Sequence, residues 1–199
     1  MRNVKVKVTF IEEILGMANS DPNIHEDYIA SKAPDAKSKA EEIEAIGVEE
    51  AIEKAKTIFP RDEDGNIFIW DYQIKGFFKD AAGMIRKVKG TKCSKIKAYK
   101  KEIDGLLFPE PRKILIHIPE GGEIGDCQRP LRASTPQGER IALANSETAP
   151  AGSYIEFEVK CFTDDMAELV FECLDYGKYR GMCQWRNSGK GRFEYEVIE

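Results

Sequence analysis

Six segments of the chain carry a clear apolar rhythm, and their order leaves few folds open. Val4-Lys-Val-Lys-Val-Thr-Phe10 and Tyr154-Ile-Glu-Phe-Glu-Val-Lys-Cys161 alternate apolar and polar residues with period two, the pattern of a strand with one buried face. Ile114-Leu-Ile-His-Ile118 and Arg192-Phe-Glu-Tyr-Glu-Val-Ile198 read as two more strands. Two helical stripes lie among them. Phe77, Phe78, Ala81, Ala82 and Ile85 fall at i, i+1, i+4, i+5 and i+8, on one side of a helix. Met166, Leu169, Val170, Cys173 and Leu174 form the buried face of another, which Thr163 caps, whose first turn carries Asp164 and Asp165, and which Gly177 ends. The predicted order is strand 3–10, helix 74–87, strand 113–119, strand 153–161, helix 163–176 and strand 192–198. This is β-α-β-β-α-β, the ferredoxin-like arrangement of an α+β domain. Two helices on one face of an antiparallel sheet bury both stripes and leave the other sheet face to a partner.

Two segments interrupt this order. After the first strand, Gly16-Met-Ala-Asn-Ser-Asp-Pro22 is a turn-rich loop, and residues 35–59 are rich in Ala, Glu and Lys. Ile43 and Ile46 precede Gly47, and Val48, Ala51, Ile52, Ala55 and Phe59 follow it, which predicts two short helices broken at the glycine. Arg61-Asp-Glu-Asp-Gly65 is a turn, and Asn66-Ile-Phe-Ile-Trp70 a short strand or extended segment. Residues 87–111 read as basic and irregular, and 119–150, with their Gly and Pro, as a loop or a poorly ordered hairpin. The expectation is one domain over 1–199, with a mainly helical insertion at 11–65 and a loop or hairpin insertion at 119–150. At 199 residues, folding buries roughly 70% of the unfolded surface, so a core forms without staples.

Charge is where function first shows. The net charge of −5 argues against a generic basic DNA-coating protein, and one third charged residues argues against a membrane protein. No signal peptide and no run of roughly 18 apolar residues is evident. Yet the total hides a segregation. Segments 86–101, 128–140 and 176–192 hold 16 of the 30 Lys and Arg and a single acid, Glu139, so they carry +15 while the other 153 residues carry −20. The five cysteines are odd in number, widely spaced and without a C-x-x-C, which fits free, mostly buried thiols in a reducing cytosol. With only His25 and His117 to assist them, no metal site is expected, and no cofactor.

The segment Gly177-Lys-Tyr-Arg-Gly-Met-Cys-Gln-Trp-Arg-Asn-Ser-Gly-Lys-Gly-Arg192 is the richest in chemistry. Its glycines let backbone approach a ligand, Lys178, Arg180, Arg186, Lys190 and Arg192 supply charge for phosphates, and Tyr179 and Trp185 supply faces for base stacking. The alternative is a turn into the last strand with Trp185 in a core or interface. The run 86–101, including Arg86, Lys87, Lys89 and Lys92, continues from the face of the first helix that bears Lys75 and Lys79. It either releases counterions from a phosphate backbone or balances the acidic residues of 41–53 as a solvated loop. Arg129, Arg132 and Arg140 are candidates for bidentate phosphate clamps. Catalysis has little support: no Ser-His-Asp set, P-loop, dinucleotide fingerprint or His-Glu-x-x-His occurs. His25 stands near Asp21, Glu26 and Asp27, where an acid/base role is conceivable but an inert loop histidine is commoner. His117 is expected on the sheet face opposite Ile114, Ile116 and Ile118.

Two resemblances follow from these residues. The β-α-β-β-α-β order, Ile74-Lys-Gly-Phe-Phe-Lys79 at the start of the first helix and Gly189-Lys-Gly-Arg-Phe193 before the last strand resemble the repeat-associated (RAMP) superfamily, the RNA-binding subunits of CRISPR effector complexes. The resemblance implies an RRM-like core and guide-RNA contacts at Lys75, Gly76, Gly189, Gly191 and Arg192. Phe10-Ile-Glu-Glu-Ile-Leu-Gly16, Ile29-Ala-Ser-Lys-Ala-Pro-Asp35 and Gln184-Trp-Arg-Asn-Ser-Gly-Lys-Gly-Arg192 are similar to a family of uncharacterised proteins of tailed bacteriophages and prophages, which implies a viral protein made in the bacterial cytoplasm. The expected activity is binding of single-stranded DNA or RNA without cleavage, with copies assembling head to tail along the strand through their opposite charges. The alternative is an anti-defence protein that mimics or blocks a CRISPR effector subunit or sequesters a nucleotide signal, its partner then being a host defence complex.

Overall fold

Val4, Val6, Val8 and Phe10 are all buried, and the residues between them face outward, so the first strand has one core face as its period-two pattern requires. A computed structural model of the chain describes residues 1–20, 56–135 and 138–198, the side chains of 131–143 excepted. Its strands are β1 (Arg2–Phe10), β2 (Ile14–Leu15), β3 (Ala18–Asn19), β4 (Thr57–Ile58), β5 (Phe68–Trp70), β6 (Leu107–Glu110), β7 (Lys113–His117), β8 (Gly125–Thr135), β9 (Gly138–Ala149), β10 (Tyr154–Cys161) and β11 (Phe193–Val197). The helices are α1 (Asp71–Ile85), α2 (Lys92–Lys95), α3 (Tyr99–Leu106) and α4 (Asp164–Arg180), and a single 3₁₀ turn spans Arg186–Ser188. The fold is α+β.

The main sheet has the order β11-β1-β10-β7-β5, with β6 also on β10, and its pairings are antiparallel. Helices α1 and α4 cover one face. Phe77 of α1 meets Phe193 of β11 edge to face at 5.7 Å, and Phe10 meets the same ring at 6.3 Å. Gly177 of α4 lies against this cluster: a Cβ there would fall 2.2 Å from the Phe193 ring and 2.8 Å from Phe77. The glycine therefore serves close packing within the helix. The predicted helix end at Gly177 is thus corrected, because α4 runs on to Arg180 and Gly181, at φ 76°, caps it. The start is where the sequence put it, with Thr163 Oγ1 accepting from the Met166 amide at 3.2 Å.

The smaller sheet runs β2-β9-β4-β3, with β8 paired along β9 from Gly125↔Thr148 to Thr135↔Gly138. Residues 125–149 thus form a long hairpin. Their sequence has no sustained apolar alternation, and the backbone ladder supplies the order that the sequence pattern does not announce. Thr57 and Ile58, expected in a helix, instead form β4 between β3 and β9, with the Thr57 hydroxyl 2.7 Å from that of Ser146. The paired edge of β9 overrides local helix propensity there. The rest of the expected helical pair, 35–55, lies outside the described residues. Residues 87–111 are also more regular than expected. Cys93, Ile103 and Leu107 are each buried and anchor α2, α3 and β6 in turn, elements too short to show a period. Pro109 is tolerated because β6 pairs on the β10 side alone.

Gly177→Ala is expected to cost about 1–3 kcal/mol of stability, read as a lower urea midpoint, the scale of overpacking in a core without slack. Thr163→Ala should cost about 1 kcal/mol through loss of the cap. A midpoint unchanged in Gly177→Ala would contradict the packing role assigned to that glycine.

Candidate nucleic-acid interface

Beyond Gly181 the chain makes a tight loop back to β11. A Cβ on Gly181 would fall 2.5 Å from the Lys190 carbonyl oxygen, and one on Gly191 only 2.1 Å from that of Met182. The Met182 amide donates to Gly191 O at 3.0 Å and the Gly191 amide to Glu13 O at 2.9 Å. These two glycines thus let the loop's own arms cross. Gly189 is different: it is left-handed at φ 82° with only the Arg192 side chain within 4 Å, at 3.8 Å. Between the arms, Cys183 (φ 65°) and Trp185 (φ 55°) hold left-handed conformations that cost a non-glycine residue about 1–3 kcal/mol each.

What holds Trp185 there is Arg129 from β8. Its guanidinium carbon lies 5.0 Å from the indole centroid, and the side chain is buried. One guanidinium nitrogen donates to Gln184 Oε1 at 2.8 Å and the other to Ser146 Oγ at 3.5 Å, while Nε makes no hydrogen bond among the described residues. Gln184 is itself fixed, donating to Gly16 O at 2.8 Å and Thr57 Oγ1 at 3.3 Å. On the other side, Arg186 and Arg180 converge on one carboxylate, Asp80 of α1, at 2.7 and 3.5 Å. Arg180 also donates to Asn187 Oδ1. Arg180, Cys183, Gln184, Trp185, Arg186 and Asn187 line an open cleft of about 340 Å³. Burial pushes the Cys183 thiol up to about 12 against the pull of Arg186, so it stays protonated and is not a nucleophile at neutral pH.

The remaining cations divide into held and free. Lys190 pairs with Glu13, Lys178 with Asp175 at 3.0 Å, and Arg192 Nε donates to Lys178 O at 3.2 Å. Lys75 donates to Asp104 O at 3.2 Å and lies 4.5 Å over the Phe108 ring, and burial lowers its pKa although Asp104 opposes this. Lys79 reaches the Asp104 carboxylate at 2.5 Å, so both lysines tie α1 to α3. Lys92 bridges Asp165 and Glu168 of α4 at 2.9 and 2.7 Å, and Glu172 accepts the backbone amides of Lys92 and Cys93. Arg86 stacks 5.1 Å over Tyr99. By contrast Lys87, Lys89, Lys97, Lys100 and Lys101 are exposed and make no ion pair among the described residues. Gly76 has open space around it, and Tyr179 is 78% exposed. Arg132 stands in β8 opposite Ile141, and the side chains of Arg132 and Arg140 lie outside the description.

The structure thus gathers Arg180, Trp185 and Arg186 at one cleft, with Arg129 buried against the indole, and leaves Lys87, Lys89, Lys97, Lys100 and Lys101 as unpaired charge after α1. Asp80, Gln184 and Ser146 were missed from sequence: Gln184 stands within the segment singled out, but nothing local marks it, Asp80 or Ser146 as a partner of these arginines. The open face of the main sheet is not basic: Glu110, Glu156, Glu158, Glu194 and Glu196 share it with Lys5, Lys7, Lys113 and Lys160. There His117 stacks on Tyr154 at 4.6 Å, with Lys7 4.6 Å over the Tyr154 ring. His25 and its neighbouring acids lie outside the described residues, and among the described residues no cluster of three metal-ligating side chains occurs. No helix among them is long and apolar enough to cross a membrane.

No protein-family model matches the chain, and no curated protein matches it. Solved structures do. A chain of the type III-B Cmr-β complex bound to cognate target RNA aligns over 99% of this chain and 60% of its own length, with a TM-score of 0.52 and 12% identity. The present chain therefore spans about 60% of that neighbour, and the likeness shows a shared fold. A chain of a type IV-B CRISPR complex aligns over 99% of this chain and 90% of its own, with a TM-score of 0.47 and 12% identity.

The Lys92 clamp has a definite pH range. Its hydrogen bond and charge hold the Asp165 carboxyl below its ordinary 3.8, so the contribution is present above that value and is lost as pH falls through the lower folded one. The stability lost in Lys92→Met should therefore be largest near neutral pH and shrink on acidification through the carboxylate range. A Lys92→Met loss that stays the same from neutral to acid pH, measured by urea denaturation, would remove the Asp165 pairing as its cause.

Proposed function

We propose that this chain binds single-stranded nucleic acid, RNA foremost, without cleaving it, through the C-terminal loop and the lysines beyond α1. The observation that carries the reading is the half-buried Trp185 held on Arg129 beside the paired guanidiniums of Arg180 and Arg186. An aromatic platform next to fixed cations is the arrangement that single-strand binders use, because every base offers a π-face and every linkage a phosphate. Lys87, Lys89, Lys97, Lys100 and Lys101 supply unpaired charge at a second place after α1, and Tyr179 a second exposed ring. Gly189 and the turn it makes give a strand room to pass over the loop.

The fold supports the same reading. Taken as four core strands, the sheet order β11-β1-β10-β7 corresponds to the ferredoxin-like arrangement, and the likeness to a Cmr-complex chain fits a RAMP-like core with the 125–149 hairpin as an addition. In this reading copies assemble along a strand in the cytoplasm of a bacterial host, as the phage resemblance implies. A second reading has the open sheet face in its favour: with acids outnumbering lysines it suits a protein partner better than a phosphate chain. A phage-encoded chain would then cap a subunit of a host defence complex, and the captured partner would survive nuclease treatment.

The test is the salt dependence of binding to labelled single-stranded RNA and DNA by fluorescence anisotropy. Each lysine that neutralises a phosphate contributes about 0.7 to the slope of log K against log salt on a single strand. Replacing Lys87, Lys89 and Lys97 together by Gln should flatten the slope by about 2. Absence of salt-dependent binding by the unaltered protein would overturn the proposal.

A further inference from the structure

The cleft beside Trp185 is more specific than a track for phosphates requires. Its parts are arranged around one ring and one anion. Arg129 is 7% exposed, so it is unavailable to a strand running over the surface, yet its guanidinium covers one side of the indole and its Nε makes no hydrogen bond among the described residues. With that side covered, the half-exposed ring presents its remaining surface to the cleft that Arg180, Gln184, Arg186 and Asn187 complete. Left-handed backbone at both Cys183 and Trp185 sets the ring in place before any ligand arrives. Such prior placement lowers the ordering cost of binding.

The charge balance points the same way. Arg180 and Arg186 share the single carboxylate of Asp80, and no other acid pairs with either among the described residues. One positive charge in excess remains at the rim of the cleft. Each guanidinium has five N–H groups in a planar fork, and Asp80 and Asn187 engage only some of them, which leaves donors for the oxygens of a phosphate. A volume of about 340 Å³ lies at the low end of small-ligand sites.

Resting on the nucleic-acid reading above, we infer that this cleft is a subsite for one nucleotide unit, its base stacked on Trp185 over Arg129 and its phosphate held by Arg180 and Arg186. The unit can belong to a strand, as a single base turned out of the stack, or be a free nucleoside monophosphate. The recognition chemistry is the same and the sources are separable by experiment.

The chain contains two tryptophans, Trp70 and Trp185, so Trp70→Phe leaves Trp185 as the only indole reporter. In that background, Trp185 emission is titrated with adenosine monophosphate and, separately, with a short single-stranded RNA. Saturable quenching by the oligonucleotide alone assigns the subsite to a nucleotide within a strand, and quenching by the monophosphate assigns it to a free nucleotide. Either result should weaken about tenfold in Arg186→Gln, the scale of losing one charge-assisted hydrogen bond. Should Arg186→Gln disturb the loop, Trp185→Leu in the otherwise unaltered protein gives an independent check by calorimetry, expected to lose about tenfold in affinity with the stacking face, and unchanged affinity would overturn the subsite. No quenching by either ligand overturns the subsite. If salt-dependent RNA binding nevertheless persists, the broader nucleic-acid reading stands without it; if that binding is absent too, both fall.

Discussion

A guanidinium that is more than nine-tenths buried organises the C-terminal loop and the strands around it. Arg129 cannot deprotonate to escape the cost of leaving water, so its surroundings must be built to receive it. It stacks on Trp185 and donates to Gln184 and Ser146, and Gln184 in turn holds Gly16 and Thr57. Segments from four places in the sequence, near residues 16, 57, 146 and 184, are fixed to one another by a single cation. A buried ion of this kind is a weak source of net stability but a strong source of geometry, because an alternative loop conformation would strip the guanidinium of its ring and its two acceptors. The C-terminal loop therefore has a defined shape despite its glycines.

A second consequence concerns charge. The sequence segregates +15 into three segments and −20 elsewhere, which suggests two surfaces of opposite sign. In the folded chain many of those charges meet inside one molecule: Asp80 takes Arg180 and Arg186, Glu13 takes Lys190, and Asp165 and Glu168 take Lys92. Exposed pairs of this sort contribute little individually, and solvent screens them. Their effect here is positional, because they moor the basic segments to α1, α4 and the start of the chain. The charge left for a partner is concentrated in the unpaired lysines after α1, so head-to-tail attraction between copies has less to draw on than the totals imply.

Legibility followed burial. β1 and β10 each bury one face, α1 and α4 each bury a stripe, and the period of the apolar residues disclosed them, while β11 buries Phe193 alone. The β8–β9 hairpin was legible only as a loop or irregular hairpin because its order comes from backbone pairing, which has no composition. The short α2, α3 and β6 depend on single buried residues, Cys93, Ile103 and Leu107, and one residue has no period. Gly177 looked like a helix stop because glycine serves both positive φ and close approach, and only the Phe193 ring beside it decides between them. For the site, composition exposed the arginines and Trp185, since cations and aromatics on a glycine-rich loop stand out. Asp80 and Gln184 did not, because their role is defined by groups distant in the sequence, from 55 to 168 residues away.

The choice of arginine at position 129 follows from what the position demands. The group against Trp185 must bring its charge over the indole, 5.0 Å from its centroid, and at the same time donate to Gln184 and Ser146. A planar guanidinium does both, since its face is free for the ring while its N–H groups point outward at its edge. A lysine ammonium has no face, and its three donors diverge as a tripod, so contact with the ring and two fixed bonds could not be satisfied together. The same planarity explains Arg180 and Arg186, which can share one carboxylate and keep unused donors directed away from it. Three arginines around one tryptophan thus divide the work: one supports the ring from within, and two hold charge at its edge.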